Sequence, residues 1–166
     1  MPESLATFAY RWGFNLYPAY RGTGAWITYI ASDWREVRIR LPLSWQTRNY
    51  VGTIFGGSIY AAVDPFYMIM LIKNLGSSYV IWDKAATVRF KKPGVSTLYA
   101  RFRLEEAELQ DIRLQLEEQP NLDRLYHIDL VDGQGEPRAW VEKTIFIAKK
   151  GTKLTTPDPS KVAMES

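Results

Sequence analysis

The run Gly56-Gly57-Ser58-Ile59-Tyr60-Ala61-Ala62-Val63-Asp64-Pro65-Phe66-Tyr67-Met68-Ile69-Met70-Leu71-Ile72-Lys73-Asn74-Leu75 decides the fold. It reads as one long helix with hardly a polar face, closed by Asn74 and Gly76 as its C-terminal cap. The uncharged part has roughly the length of a bilayer span. Asp64, Pro65 and the Gly56-Gly57 pair argue against spanning, because a carboxylate at mid-bilayer is expensive. A helix that is apolar on nearly all sides must be surrounded by other structure.

The flanking segments supply the wrapping. Upstream, 25–31 reads as a strand, and 36–43 alternates Val37, Ile39 and Leu41 with Arg38 and Arg40, the period of a strand with one buried face. Residues 44–53 form a polar loop. Downstream, strands are predicted over 80–92, ending at Pro93-Gly94, and over 97–104, where Leu98, Ala100 and Phe102 alternate with Tyr99, Arg101 and Arg103; these two are expected to pair as a hairpin. Leu109, Ile112 and Leu116 at helical spacing predict a surface helix over 105–118, stopped before Pro120. Strands over 122–131 and 138–149 then meet through Asp132-Gly133-Gln134-Gly135. A short helix is expected over 3–12, and a loosely held tail over 151–166. The predicted architecture is α+β: one domain over 1–166 with its core in 25–149, a curved antiparallel sheet wrapped around one long central apolar helix.

Composition narrows the chemistry. The 166 residues suffice for one core, and 46% hydrophobic with 23% charged residues excludes wholesale disorder or a fibrous repeat. With no cysteine and His127 as the only histidine, the chain has no thiol nucleophile, no thiolate zinc site and no histidine-based triad or metal cluster, so no metal is expected. The net charge of +3 is spread among carboxylates, so no nucleic-acid partner is called for. A local basic stretch remains at Arg89, Lys91, Lys92, Arg101 and Arg103. The N-terminus lacks the basic start and apolar run of a secretory signal, which makes the cytoplasm the expected compartment.

The start of the long helix carries the candidate site. Glycines there let a ligand approach the backbone, and the free N–H groups of the first turn, with the helix dipole, favour an oxygen becoming negative. A carbonyl oxygen seated on the Gly56 or Gly57 amide, with Asp64 as general base on water or as nucleophile, would suit hydrolysis at a carbonyl carbon. Asp64 follows Gly56 by eight residues, about 12 Å along a helix axis, too far for both to reach one carbon from the same chain. Two chains are therefore expected, each site using Gly56 of one and Asp64 of the other.

Plainer readings stand beside these. Asp64-Pro65 has the signature of an N-cap and first helical residue, and Gly56-Gly57 suits close helix packing. Asn49 suits a loop turn as well as orientation of the substrate or glycine loop, and Ser58 suits a helix start as well as a bond to substrate or water. Phe55, Tyr60, Phe66, Tyr67 and Met68 serve equally as core or as the wall of an acyl tunnel. Thr87, on the strand after the helix, is a further candidate substrate contact. Asp83 is a spare carboxylate whose commoner fate is a salt bridge. Arg89, Lys91 and Lys92 suit phosphate groups of a ligand or a solvated face, and His127 is read as a satisfied structural histidine.

The spacing Asn49, Gly52, Gly56-Gly57 and Asp64 resembles that of the hotdog-fold acyl-CoA thioesterases, in particular the type acting in phenylacetate degradation, with Phe55 where that type has histidine. The run from Phe55 to Tyr67 looks closer to a group of bacterial hotdog proteins in which phenylalanine at this place is usual, and the likeness in element order covers about residues 25–149. The resemblance implies a hotdog fold, a homodimer or dimer of dimers, and acyl-CoA as substrate, with coenzyme A entering only as part of it and no other cofactor. A non-catalytic acyl-CoA or lipid-binding protein is the alternative, supported by Phe55. A hotdog dehydratase is weaker, because His127 would have to serve alone.

Overall fold

In a computed structural model that describes residues 1–151, the chain forms α1 (Leu5–Leu16), α2 (Pro18–Arg21), β1 (Trp26–Ile30), β2 (Glu36–Leu41), α3 (Gly56–Val63), α4 (Phe66–Leu75), β3 (Tyr79–Phe90), β4 (Leu98–Arg103), α5 (Glu106–Glu118), β5 (Asn121–Val131) and β6 (Pro137–Lys149). The six strands make one curved, wholly antiparallel sheet in the order β1-β2-β4-β5-β6-β3. The helices α3 and α4 lie against its inner face, burying Ile59, Ala62, Val63, Phe66, Tyr67, Met70, Leu71 and Leu75 among inward strand residues such as Phe102, Val141 and Ile145. The expected α+β arrangement, a sheet around an apolar helix, is what forms. The tail expected over 151–166 falls, beyond Gly151, outside the described residues.

Three details differ from expectation. The central helix is two segments, because Pro65 has no N–H to continue the backbone ladder. Asp64 keeps helical angles (φ −49°, ψ −51°) as the C-cap of α3, and Pro65, not Asp64, stands at the N-cap of α4. Two carbonyls at the break find side-chain donors: the Tyr20 hydroxyl donates to Ala62 O at 3.3 Å, and the Lys143 ammonium donates to Asp64 O.

The second difference corrects the predicted pairing of 80–92 with 97–104. β3 is an edge strand paired only with β6, and β4 sits between β2 and β5. Pro93-Gly94 is no hairpin turn; Ile54 N donates to Gly94 O at 2.9 Å, which ties the segment to the loop before α3 and carries the chain past the helix start. The other predicted hairpin forms. Asp132 organises its turn by accepting from the Gln134 and Glu136 amides and from the Arg138 guanidinium, while Gly135 takes φ +81°.

Third, the N-terminal helix extends to Leu16. Ser4 caps it reciprocally with Thr7, and it stops only where Pro18 forces Tyr17 into extended backbone. This helix seals one sheet edge. The buried Asn15 amide donates to Ile27 O at 3.0 Å and accepts from Ile27 N at 2.8 Å, imitating a neighbouring strand along β1. No element of the described residues covers β3 at the opposite edge in this way, and Trp82 and Phe90 stand exposed along it. β4 and β5 pair only at Tyr99 and Val131, so the sheet parts below that point.

Candidate active site

The loop before α3 is locally built by Asn49. Its side-chain oxygen accepts from the Val51 and Thr53 amides at 3.1 and 3.0 Å, its amide donates to Thr53 Oγ1 at 2.9 Å, and Gly52 takes φ +85° to close the turn. Asn49 is thus the organiser of the glycine loop. Phe55 follows in extended backbone as the N-cap of α3, with its N–H bonded to Thr47 O at 2.7 Å and no side-chain cap. Among the described residues the amides of Gly56, Gly57 and Ser58 meet no acceptor, which leaves the first turn of α3 electropositive and open.

Both glycines are fitted under aromatic rings. A Cβ at Gly56 would lie 2.8 Å from the Phe90 ring, and one at Gly57 would lie 2.3 Å from the Phe55 ring. A cleft of about 370 Å³ opens at this point, lined by Asn49, Thr53, Gly56, Phe90, Lys91 and Lys92 among others. The structure therefore brings Asn49, Gly56, Lys91 and Lys92 together at the helix start, with Gly57, Ser58 and Phe55 adjoining. Ser58 makes no side-chain hydrogen bond among the described residues, and Lys92 pairs with Glu136 at 2.5 Å.

Other candidates go elsewhere. A β-bulge between Asp83 and Ala85 switches the facing of β3, so that Asp83, Ala86, Val88 and Phe90 stand opposite inward residues of β6. Thr87 and Arg89 fall on the other face, where the Arg89 guanidinium lies over Trp140. Phe66 packs between Tyr20 and Phe102, and Tyr67 stacks on Tyr126 at 4.3 Å, so both are core within the chain; Met68 is half-buried beside them. Arg101 and Arg103 share the outer face of β4, and Arg101 is paired with Glu36. His127 is exposed, 3.3 Å from Asp129 and tilted against Trp140.

A second polar centre lies at the helix break. The Lys143 side chain is wholly buried, and its ammonium donates to Asp64 Oδ1 at 3.0 Å as well as to the Asp64 carbonyl. It also lies 2.9 Å from Asp83 Oδ1, an ion pair without an aligned hydrogen bond. Asp64 remains 42% exposed, so its carboxylate is held from below and open above. Burial pushes the Asp83 carboxyl above the usual carboxylate range; Lys143 pulls it back and the Asp64 charge adds to the rise. Tyr60 projects into the same cluster, and its hydroxyl is pushed up first by burial and then by the two carboxylates.

The salt bridge expected for Asp83 is present, and its partner is the residue that sequence reading missed. Lys143 occupies the inward register of β6 with Ala139, Val141, Ile145 and Ile147, a lone cation on the apolar side of a period-two pattern.

A family model for a domain of unknown function (DUF4442) matches residues 8–147. Among solved structures, a Pseudomonas aeruginosa protein of unknown function and probable thioesterase is similar at a TM-score of 0.75 and 19% identity, over 90% of this chain and 98% of that one. A Chlorobaculum tepidum protein of unknown function is similar at a TM-score of 0.68 and 15% identity, over 87% and 94% of the two chains. A Haemophilus influenzae thioesterase is similar at a TM-score of 0.61 and 13% identity, over 82% and 87%. No curated protein matches the chain significantly. At such identities the likeness is one of fold, and the fold is the hotdog α+β arrangement.

Proposed function

The chain belongs to the DUF4442 family, and from that premise we propose that it is an acyl-CoA thioesterase working as a homodimer in the cytoplasm. The observation that carries the reading is the open first turn of α3, with unpaired amides at Gly56 and Gly57 beside a cleft flanked by Lys91 and Lys92. The thioesterases among the solved structures of the same fold support it.

In this mechanism the thioester carbonyl oxygen rests on the Gly56 and Gly57 amides, which stabilise the charge that develops on it. Asp64 of the partner subunit takes a proton from water, the hydroxyl oxygen bonds to the carbonyl carbon, and the carbon–sulfur bond breaks with the proton passing to the departing thiol. Phe55, having no proton to give, can only bound the acyl group. Lys91 and Lys92 suit the phosphates of coenzyme A, which enters as part of the substrate; no further cofactor takes part. The partner is supplied by the uncovered edge of β3, since both groups cannot reach one carbon from a single chain.

Purified protein incubated with a panel of fatty and aromatic acyl-CoA thioesters tests the reading by thiol release. Hydrolysis of at least one member, abolished by Asp64→Asn in a folded protein, is the expected outcome. Tight binding of the thioester with no turnover would transfer the protein to the acyl-CoA-binding class.

A further inference from the structure

We propose that Lys143 is the positioning residue for Asp64, fixing its carboxylate through a buried cation shared with Asp83; this rests on the thioesterase reading of Asp64. Of the carbonyls freed at the helix break, two meet side-chain donors, and the chain treats them differently. Ala62 O is satisfied by a neutral donor, the Tyr20 hydroxyl. Asp64 O receives a full ammonium, from a strand position whose neighbours on the same face are Ala139, Val141, Ile145 and Ile147.

If satisfying a carbonyl were the whole task, a hydroxyl would do it without burying a charge, and an apolar residue would pack this position at lower cost. The cation also serves two carboxylates that both reach the surface, 42% and 23% exposed, while remaining inaccessible itself. Its reach is directed at Asp64 along two bonds, to the carbonyl and to Oδ1, which fixes the side chain relative to its own backbone. With Oδ1 engaged, proton transfer from water falls to Oδ2. Two carboxylates around one ammonium leave the cluster with one net negative charge, the charge that a base needs.

The groups facing this cluster are Tyr60 from α3, Asp64 at the break, Asp83 from β3 and Lys143 from β6; Tyr126, opposite Lys143 on β5, directs its hydroxyl to Glu108. The test uses the full chain and has two arms. In the first, thiol release from phenylacetyl-, hexanoyl-, decanoyl- and palmitoyl-CoA is measured for wild type and Lys143→Met. A positioning role lowers kcat about 10- to 100-fold with little change in KM, a fraction of what a general base itself supplies. Rates unchanged from wild type overturn the proposal.

The second arm needs no turnover: the carboxyl carbon of Asp83 is titrated by NMR in wild type and Asp64→Asn. A shared cation requires that removing the Asp64 carboxylate moves the titration of Asp83 downward; a titration that stays in place overturns the proposal even if hydrolysis is observed. Should wild type hydrolyse no thioester, the thioesterase reading falls alone, and the shared cation stands or falls on this titration. Asp64→Asn keeps this arm available if Lys143→Met does not fold.

Discussion

The Lys143 ammonium lies 3.0 Å from the Asp64 carboxylate across 79 residues of chain, joining the last strand to the break in the central helix. Lys143 is wholly buried, whereas both of its carboxylates reach solvent. The order of mutational costs follows from that asymmetry. Replacing both Asp64 and Asp83 by Ala strands a buried cation and is expected to cost about 3–5 kcal/mol. Lys143→Met leaves two carboxylates that water can reach and one unsatisfied carbonyl, and is expected to cost about 1–3 kcal/mol. Urea denaturation at pH 7 checks the order; an equal or inverted pair of costs would contradict it.

Gly56→Ala separates folding from function. Inside a helix the exchange gains about 0.5–1 kcal/mol in conformational terms. The new methyl falls 2.8 Å from the far end of the exposed Phe90 side chain, which is free to swing aside. The expected protein has a melting temperature at or above that of wild type and thioester turnover reduced at least tenfold, because the methyl obstructs the approach of the carbonyl to an amide that is itself retained. Thermal denaturation and thiol release on the same preparation check it.

The proposed sharing of sites between subunits predicts complementation. A Gly56 variant and an Asp64→Asn variant, each strongly impaired, are mixed, unfolded and refolded together. Random pairing gives half heterodimers, each with one intact site, so about one quarter of wild-type activity should return. Sedimentation should give twice the 19.1 kDa chain mass for wild type. Mixed chains as inactive as their parents would place Gly56 and Asp64 of one subunit in the same site.

Glu36 makes acid stability testable. Its carboxylate accepts from Arg101 and Arg38, each at 2.6 Å, and the Arg101 bond foremost holds it down at about 2 against an ordinary 4.5. Because the folded value is depressed, this contribution is fully present above about 4.5 and is lost as pH falls toward about 2. Denaturation midpoints of wild type should drop through that window more steeply than those of Glu36→Gln, which has no carboxylate to protonate. Parallel slopes would remove Glu36 from the acid response.

Most of the fold was readable because its signals are local. The apolar run from Ile54 to Ile72 demanded a covering sheet, and the alternation of Val37, Ile39 and Leu41 with arginines set the facing of β2. Pairing was less legible: Pro93-Gly94 looks like a hairpin turn until its carbonyl is found holding Ile54. At the site, Asn49 and Gly56 were found by spacing and the two lysines as a basic stretch, and the four share a cleft. The facing of Thr87 and Arg89 was not readable, because one bulge at Asp83 reverses the parity of everything after it. Lys143 was signalled by its place among apolar alternates, but its partners lie on other elements, and no local period contains them.

The clasp of Asn15 on Ile27 also bears on how far self-association can go. A sheet with two bare margins can add copies at both ends and grow without limit. Here the β1 margin is already occupied by the chain's own helix, leaving β3 as the one uncovered border among the described residues. Where two copies join along it, as proposed, one docking event exhausts it, so the assembly would terminate itself instead of propagating into a fibre.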